Sequence, residues 1–152
     1  MILILAGRKD IQKGPVKELY SRLSLDKASE LMELEPPSEV VFGDQLDKIR
    51  KKLEPGTELI GYCFGGTYAL NIEDDWIDSK IVIDPPEGVE DSNGETIAPD
   101  FSTATFLIGS GSMDEDEVPD SVESKFFDTD HWFSDSRDGL VDAVAERLEE
   151  TY

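Results

Sequence analysis

One cysteine and one histidine occur in the 152 residues, and both stand where they could do chemistry. Cys63 lies in "GYCFGG", straight after the apolar pair Leu59-Ile60; the spacing Gly-x-Cys-x-Gly-Gly is that required of a nucleophile on a sharp strand-to-helix turn. The acidic cluster "MDEDE", with Asp114 and Asp116, comes next, and then His131 in "DTDHWFSD". The chain order is therefore nucleophile, acid, histidine, a set suited to covalent catalysis.

These groups need a scaffold that brings three loops to one edge. Residues 2 to 6 are a continuous apolar run closed by Gly7, the pattern of a strand buried on both faces. "GPVKELYSRL" puts Pro15 at a first helical position and Val16, Leu19, Tyr20 and Leu23 on one face. "ASELMELEPP" is a polar edge strand stopped by Pro36 and Pro37. "FGDQLDKIRKKLEPG" is a helix with Asp44 as its N-cap, Leu46, Ile49 and Leu53 on one face, and Pro55-Gly56 at its end.

"ELIGYCF" is the next strand, running through the glycine turn into a helix around 65–74, and "KIVIDPP" and "TATFLIGS" are two further strands. The polar stretch 87–100 between them is either a mobile surface loop or a cover over a site. Pro119 starts a brief helix through "PDSVESK", "KFF" is a short last strand, and "DGLVDAVAERLEE" is a closing helix with Leu140, Val144 and Leu148 four apart. The alternation predicts one α/β domain over 1–152 with a doubly wound, mostly parallel sheet of about six strands. Sites in such sheets form beyond the carboxyl ends of strands, where Cys63, the Asp114/Asp116 cluster and His131 fall.

Composition narrows the partners. Lys plus Arg number 14 against 35 Asp plus Glu, a formal net charge of -21. Such a surface cannot displace phosphate counterions, so nucleic acid is excluded and anionic membranes are disfavoured. It repels itself in dilute buffer but is screened at molar salt, where the Debye length is about 3 Å, which predicts a salt-adapted protein. A lone cysteine cannot form an internal disulfide, which fits a reducing cytoplasm or simply carries no information on compartment; "MILILAGRKD" is expected to be too short an apolar start for a signal peptide or membrane span.

"GYCFGG", with the order of the three features, resembles the nucleophile elbow of the α/β-hydrolase superfamily, specifically the Cys-bearing version of dienelactone hydrolase-like proteins, here reduced in size and of haloarchaeal type. "LIGSGSMDEDEVP" resembles the segment that supplies the family's acid, and "DTDHWFSD" the loop that supplies its histidine. Two departures stand out: the first two family strands are absent, and "GRKD" replaces a His-Gly-Gly segment after "ILILAG". The resemblance implies strand order 2-1-3-4-5-6 and hydrolysis of an ester, thioester or lactone through a Cys acyl-enzyme, with a small-molecule acyl substrate.

It also implies roles. Gly61, Gly65 and Gly66 would let strand and helix approach. Cys63, at the helix start, would be favoured as thiolate by the helix dipole, and His131 would take its proton and return it to the leaving group. Asp114, three residues beyond Gly111, or Asp116 would hold the imidazole, Asp114 being preferred. The oxyanion would be held by the N–H of Phe64 and by that of Arg8 or Gly7. Trp76, Trp132 and Phe133 are expected to form an apolar acyl pocket, or else Trp132 and Phe133 only pin the histidine loop to the core.

No cofactor is expected, since "GYCFGGT" lacks the Lys-Ser/Thr of a phosphate loop and the Gly-x-Gly-x-x-Gly of a dinucleotide fold. No metal is expected either, because neither acidic segment has the spacing and glycine of an EF-hand loop, and one histidine without a second nitrogen or sulfur ligand argues against a zinc site. The competing reading is a non-catalytic member of the same scaffold kept for binding or structure.

Overall fold

In a computed structural model, which describes residues 1–150, six parallel strands form a single sheet. The strands are β1 (Ile2–Gly7), β2 (Ser29–Leu34), β3 (Thr57–Tyr62), β4 (Ile77–Ile83), β5 (Phe106–Gly109) and β6 (Ser124–Phe126), in the order β2-β1-β3-β4-β5-β6. Every neighbouring pair is parallel, and the order is the expected one. β1 and β3 are buried along their whole length, which explains the unbroken apolar run of β1, while β3 also buries Thr57 and Glu58 at its start; β2 at the edge is half-exposed and carries acids.

Side-chain alternation divides the core between the two faces. Ile2, Ile4, Ala6, Ile60 and Ile81 point to one side, where helices α2 (Val16–Leu23) and α5 (Arg137–Glu150) cover them with Val16, Leu19, Leu140 and Val144. Leu3, Leu5, Leu59 and Val82 point to the other, under α3 (Phe42–Arg50) and α4 (Phe64–Leu70), which supply Ile49, Tyr68 and Leu70. One more helix, α1 (Arg8–Lys13), follows β1 directly and takes in the "GRKD" segment.

Some local expectations are corrected. Val41, not Asp44, caps α3, and no side chain caps it; Asp44 sits in the first turn, where its charge still faces the positive end of the helix dipole. Residues 119–123 form turns instead of a helix, because β6 begins already at Ser124 to pair with β5. α4 ends at Leu70, short of the expected 74, with Asn71 as its cap. The 87–100 stretch holds one isolated antiparallel bridge, Glu90 to Thr96.

Candidate active site

β3 ends at Tyr62 and α4 begins at Phe64, so Cys63 alone makes the turn, with φ 54° and ψ -116°. That left-handed backbone is strained for a residue with a Cβ, and it holds the thiol at the carboxyl edge of the sheet. Two of the neighbouring glycines, Gly61 and Gly65, are required by space. A Cβ at Gly61 would stand 2.4 Å from the Gly65 carbonyl oxygen, and one at Gly65 would stand 1.9 Å from that of Leu5 on the adjacent strand. At Gly66 the nearest atom is Val82 Cγ1 at 3.0 Å.

His131 reaches the same edge from the loop after β6. Phe133, with no exposed surface, packs its ring near Tyr62 and Phe127 and anchors that loop. The Tyr62 hydroxyl donates to the His131 carbonyl oxygen, and its ring stacks on the imidazole at 5.3 Å between centroids. The residue before the cysteine thus clamps the histidine. Phe133 therefore pins the loop, Trp132 lies edge-on to the imidazole at 5.2 Å, and Trp76 belongs to neither role. Trp76 directly precedes β4 and is half-exposed at the opposite edge of a parallel sheet.

The carboxylate that meets the histidine is Asp84, not Asp114. His131 Nδ1 and Asp84 Oδ2 are 2.5 Å apart, and Asp84 is 2% exposed. The Ser110 hydroxyl and backbone N–H donate to Asp84 at 2.7 and 3.0 Å, and the Ser112 hydroxyl donates at 2.9 Å. Asp114 is exposed and accepts the backbone N–H of Asp116, capping the 3-10 turn 115–117; Asp116 is exposed within that turn. Asp84 follows β4 in "KIVIDPP", at the strand end beside the elbow, so the rule that sites form beyond strand ends applied to it as much as to Asp114.

A second carboxylate was not anticipated. Asp10 in α1 is 5% exposed, and its carboxyl oxygen, the Cys63 sulfur and a His131 ring nitrogen all lie within 4.8 Å of one another. A hint lay in "GRKD", an acid one turn past a strand end in the position that the family gives to oxyanion donors.

Charge in the site is set by this packing. Burial pushes the Cys63 thiol up to about 12, and the Asp10 carboxylate adds to it; the Phe64 backbone N–H acts in the opposite sense. The thiol is therefore protonated at rest, contrary to the expected thiolate, because desolvation and Asp10 outweigh the start of a seven-residue helix. Burial raises Asp10 as well, with His131 opposing. Burial also acts against the Asp84 carboxylate, but the hydrogen bonds of His131, Ser110 and Ser112 prevail and hold it below its ordinary value. The bond to Asp84 in turn raises His131 against the effect of burial.

A cleft of about 410 Å³ opens beside these groups, lined among others by Gly7, Arg8, Asp10, Leu34 and Phe64. It lies on the Phe64 and Asp10 side of the elbow, and Cys63 and His131 do not line it. Arg8 begins α1 at its rim, 3.9 Å from Glu33 on the neighbouring strand.

The chain is similar over its whole length to a solved structure, the ydeN gene product from B. subtilis, with a TM-score of 0.62, 97% of each chain covered and 14% sequence identity. That protein has the α/β-hydrolase fold, and the sheet order, the flanking helices and this likeness define the same fold here. No family model matches the sequence, and no curated protein does. Among the described residues no helix is long and apolar enough to cross a membrane.

Proposed function

We propose that the protein is a small hydrolase of carboxylic esters, thioesters or lactones that works through an acyl-enzyme on Cys63. The observation that carries this reading is the convergence on Cys63 of His131, itself held at Nδ1 by buried Asp84. An elbow that strains its cysteine backbone and excludes side chains from its flanks supports the same reading.

A thiol pushed up to about 12 is not a preformed thiolate, so Cys63 acts as a serine does, with proton transfer coupled to attack. His131 takes the thiol proton through Nε2 while sulfur bonds to the substrate carbonyl carbon. The resulting oxyanion is held by the Phe64 N–H and by that of Arg8. Collapse breaks the bond to the leaving alcohol or thiol, which receives the proton from His131. Water, deprotonated by His131, then releases the acid and restores the thiol. Asp84 stays ionised throughout and keeps the ring in the tautomer that presents Nε2 to sulfur.

The finer character of the enzyme is dienelactone hydrolase-like, salt-adapted and cytoplasmic, on the basis of the cysteine elbow, the net charge of -21 and the single unpaired thiol. The test is a p-nitrophenyl ester mixed with protein in several molar KCl, with the nitrophenolate burst and intact mass both recorded. One equivalent of nitrophenolate with an acyl mass gain, both lost in Cys63→Ala, is expected. A folded wild type with neither would overturn the reading in favour of a non-catalytic binding scaffold, which the strongly raised thiol also favours.

A further inference from the structure

Folding brings to His131 the sulfur partner that its own sequence segment lacks. Cys63 Sγ, a carboxyl oxygen of Asp10 and a ring nitrogen of His131 lie within 4.8 Å of one another, and they arrive from helix α1 after β1, the turn after β3 and the loop after β6. Around a tetrahedral zinc ion with bonds of about 2.0–2.3 Å, donor atoms stand about 3.3–3.8 Å apart. Closing the observed set onto an ion needs side-chain movement of the order of 1 Å.

We propose that Asp10, Cys63 and His131 form a three-ligand site for a zinc-class divalent cation, which occupies the thiol and excludes it from other chemistry. Sulfur, imidazole and carboxylate together favour such a borderline-soft ion over magnesium or calcium, which take oxygen donors. The outer contacts fit as well. Asp84 engages Nδ1 of the imidazole, leaving Nε2 as the ligand atom, and a carboxylate behind a histidine is how metal-bound imidazoles are usually oriented. Asp10 and Cys63 are almost fully buried, while the His131 side chain, 26% exposed, leaves a route for the ion and for a water as fourth ligand. On binding, the thiol proton passes to solvent and a sulfur–metal bond forms, with no change of oxidation state.

Binding stands apart from the acyl-enzyme reading; only its effect on turnover, inhibition by the cation, rests on that reading. The experiment uses the intact protein, freed of metal by a chelator that is then removed, in molar KCl with excess Mg²⁺ to suppress diffuse association with the 35 acidic side chains. Cobalt(II) is titrated as the spectroscopic probe. One equivalent is expected to give an intense near-ultraviolet sulfur-to-cobalt band, absent in folded Cys63→Ala. Zinc should displace the cobalt and slow alkylation of Cys63 at least tenfold. Asp10→Asn should weaken zinc binding at least tenfold, whereas Asp75→Asn, on the opposite edge, should not.

A folded wild type without the band overturns the site, and equal zinc affinity in Asp10→Asn overturns the three-ligand assignment. An ester burst in metal-free protein that shows no cobalt band defeats the metal site alone. A cobalt band with no ester burst supports the metal site and defeats the acyl-enzyme reading alone.

Discussion

His131 Nδ1 and Asp84 Oδ2 stand 2.5 Å apart although the two residues are 47 positions apart in the chain. The contact joins the end of β4 to the loop after β6, and two serines at the end of β5 brace it. One buried carboxylate thus fixes the histidine from three neighbouring strand ends.

Replacing that carboxylate should separate the two candidate acids. Asp84→Asn keeps the shape but no longer favours the tautomer with a free Nε2; kcat for a p-nitrophenyl ester should fall by about 10²–10⁴-fold. Asp114→Asn should leave kcat within about twofold, since its side chain only caps an exposed turn. Equal losses in both variants, with circular dichroism unchanged, would refute the assignment of Asp84.

The same pair makes stability depend on pH. Asp84 is held below its ordinary 3.8, so its contribution is complete above that value and is lost as pH falls through the lower, folded value. His131 is raised above 6.5, so its contribution is complete below 6.5 and is lost as pH rises through the higher, folded value. Both are complete between about pH 4 and 6.5. In metal-free buffer, the gap in urea midpoint between wild type and the Asp84→Asn/His131→Gln variant should be widest near pH 5–6 and narrower at pH 9. A gap that widens towards pH 9 would contradict the pairing.

Asp10 is the second electrostatic lever. Its carboxylate adds to the burial that raises the thiol, so Asp10→Asn should lower the pH at which Cys63 ionises and speed iodoacetamide alkylation at pH 8 severalfold. The rate is read by intact mass in chelator. No acceleration in a folded variant would mean that burial alone sets the thiol.

How much of this was legible beforehand differs between fold and site. The parallel α/β sheet followed from patterning, because β1 is buried on both faces and leaves an unbroken apolar run, whereas the strand order was implied by the family resemblance and not by the pattern itself. Cys63 and His131 were legible because each is the only residue of its kind. Asp84 was not: in a chain with 35 acids, type alone cannot distinguish an aspartate sealed under two serines from one capping a surface turn. Asp10 was hidden for a related reason, since "GRKD" reads as solvated charge until α1 turns its acid inward.

The elbow glycines should differ in tolerance. Gly65→Ala sets a methyl 1.9 Å from the Leu5 backbone oxygen of the fully buried strand β1 and should cost more than about 3 kcal/mol, or prevent folding. Gly66→Ala meets only Val82 and Pro85 side-chain atoms at 3.0 and 3.2 Å and should cost about 1 kcal/mol. Chemical denaturation of the two variants side by side gives the comparison, and equal midpoints would contradict it.

Among the described residues, the non-glycine positions with left-handed backbone are Cys63, Asp84 and Phe133: the proposed nucleophile, the acid that meets the histidine, and the anchor two residues after it. Each sits where glycine or asparagine would relax the chain. A sequence optimised for robustness alone would be rewritten at all three positions, so directed evolution for thermal resistance without selection for turnover should erase the site before it touches the rest of the molecule.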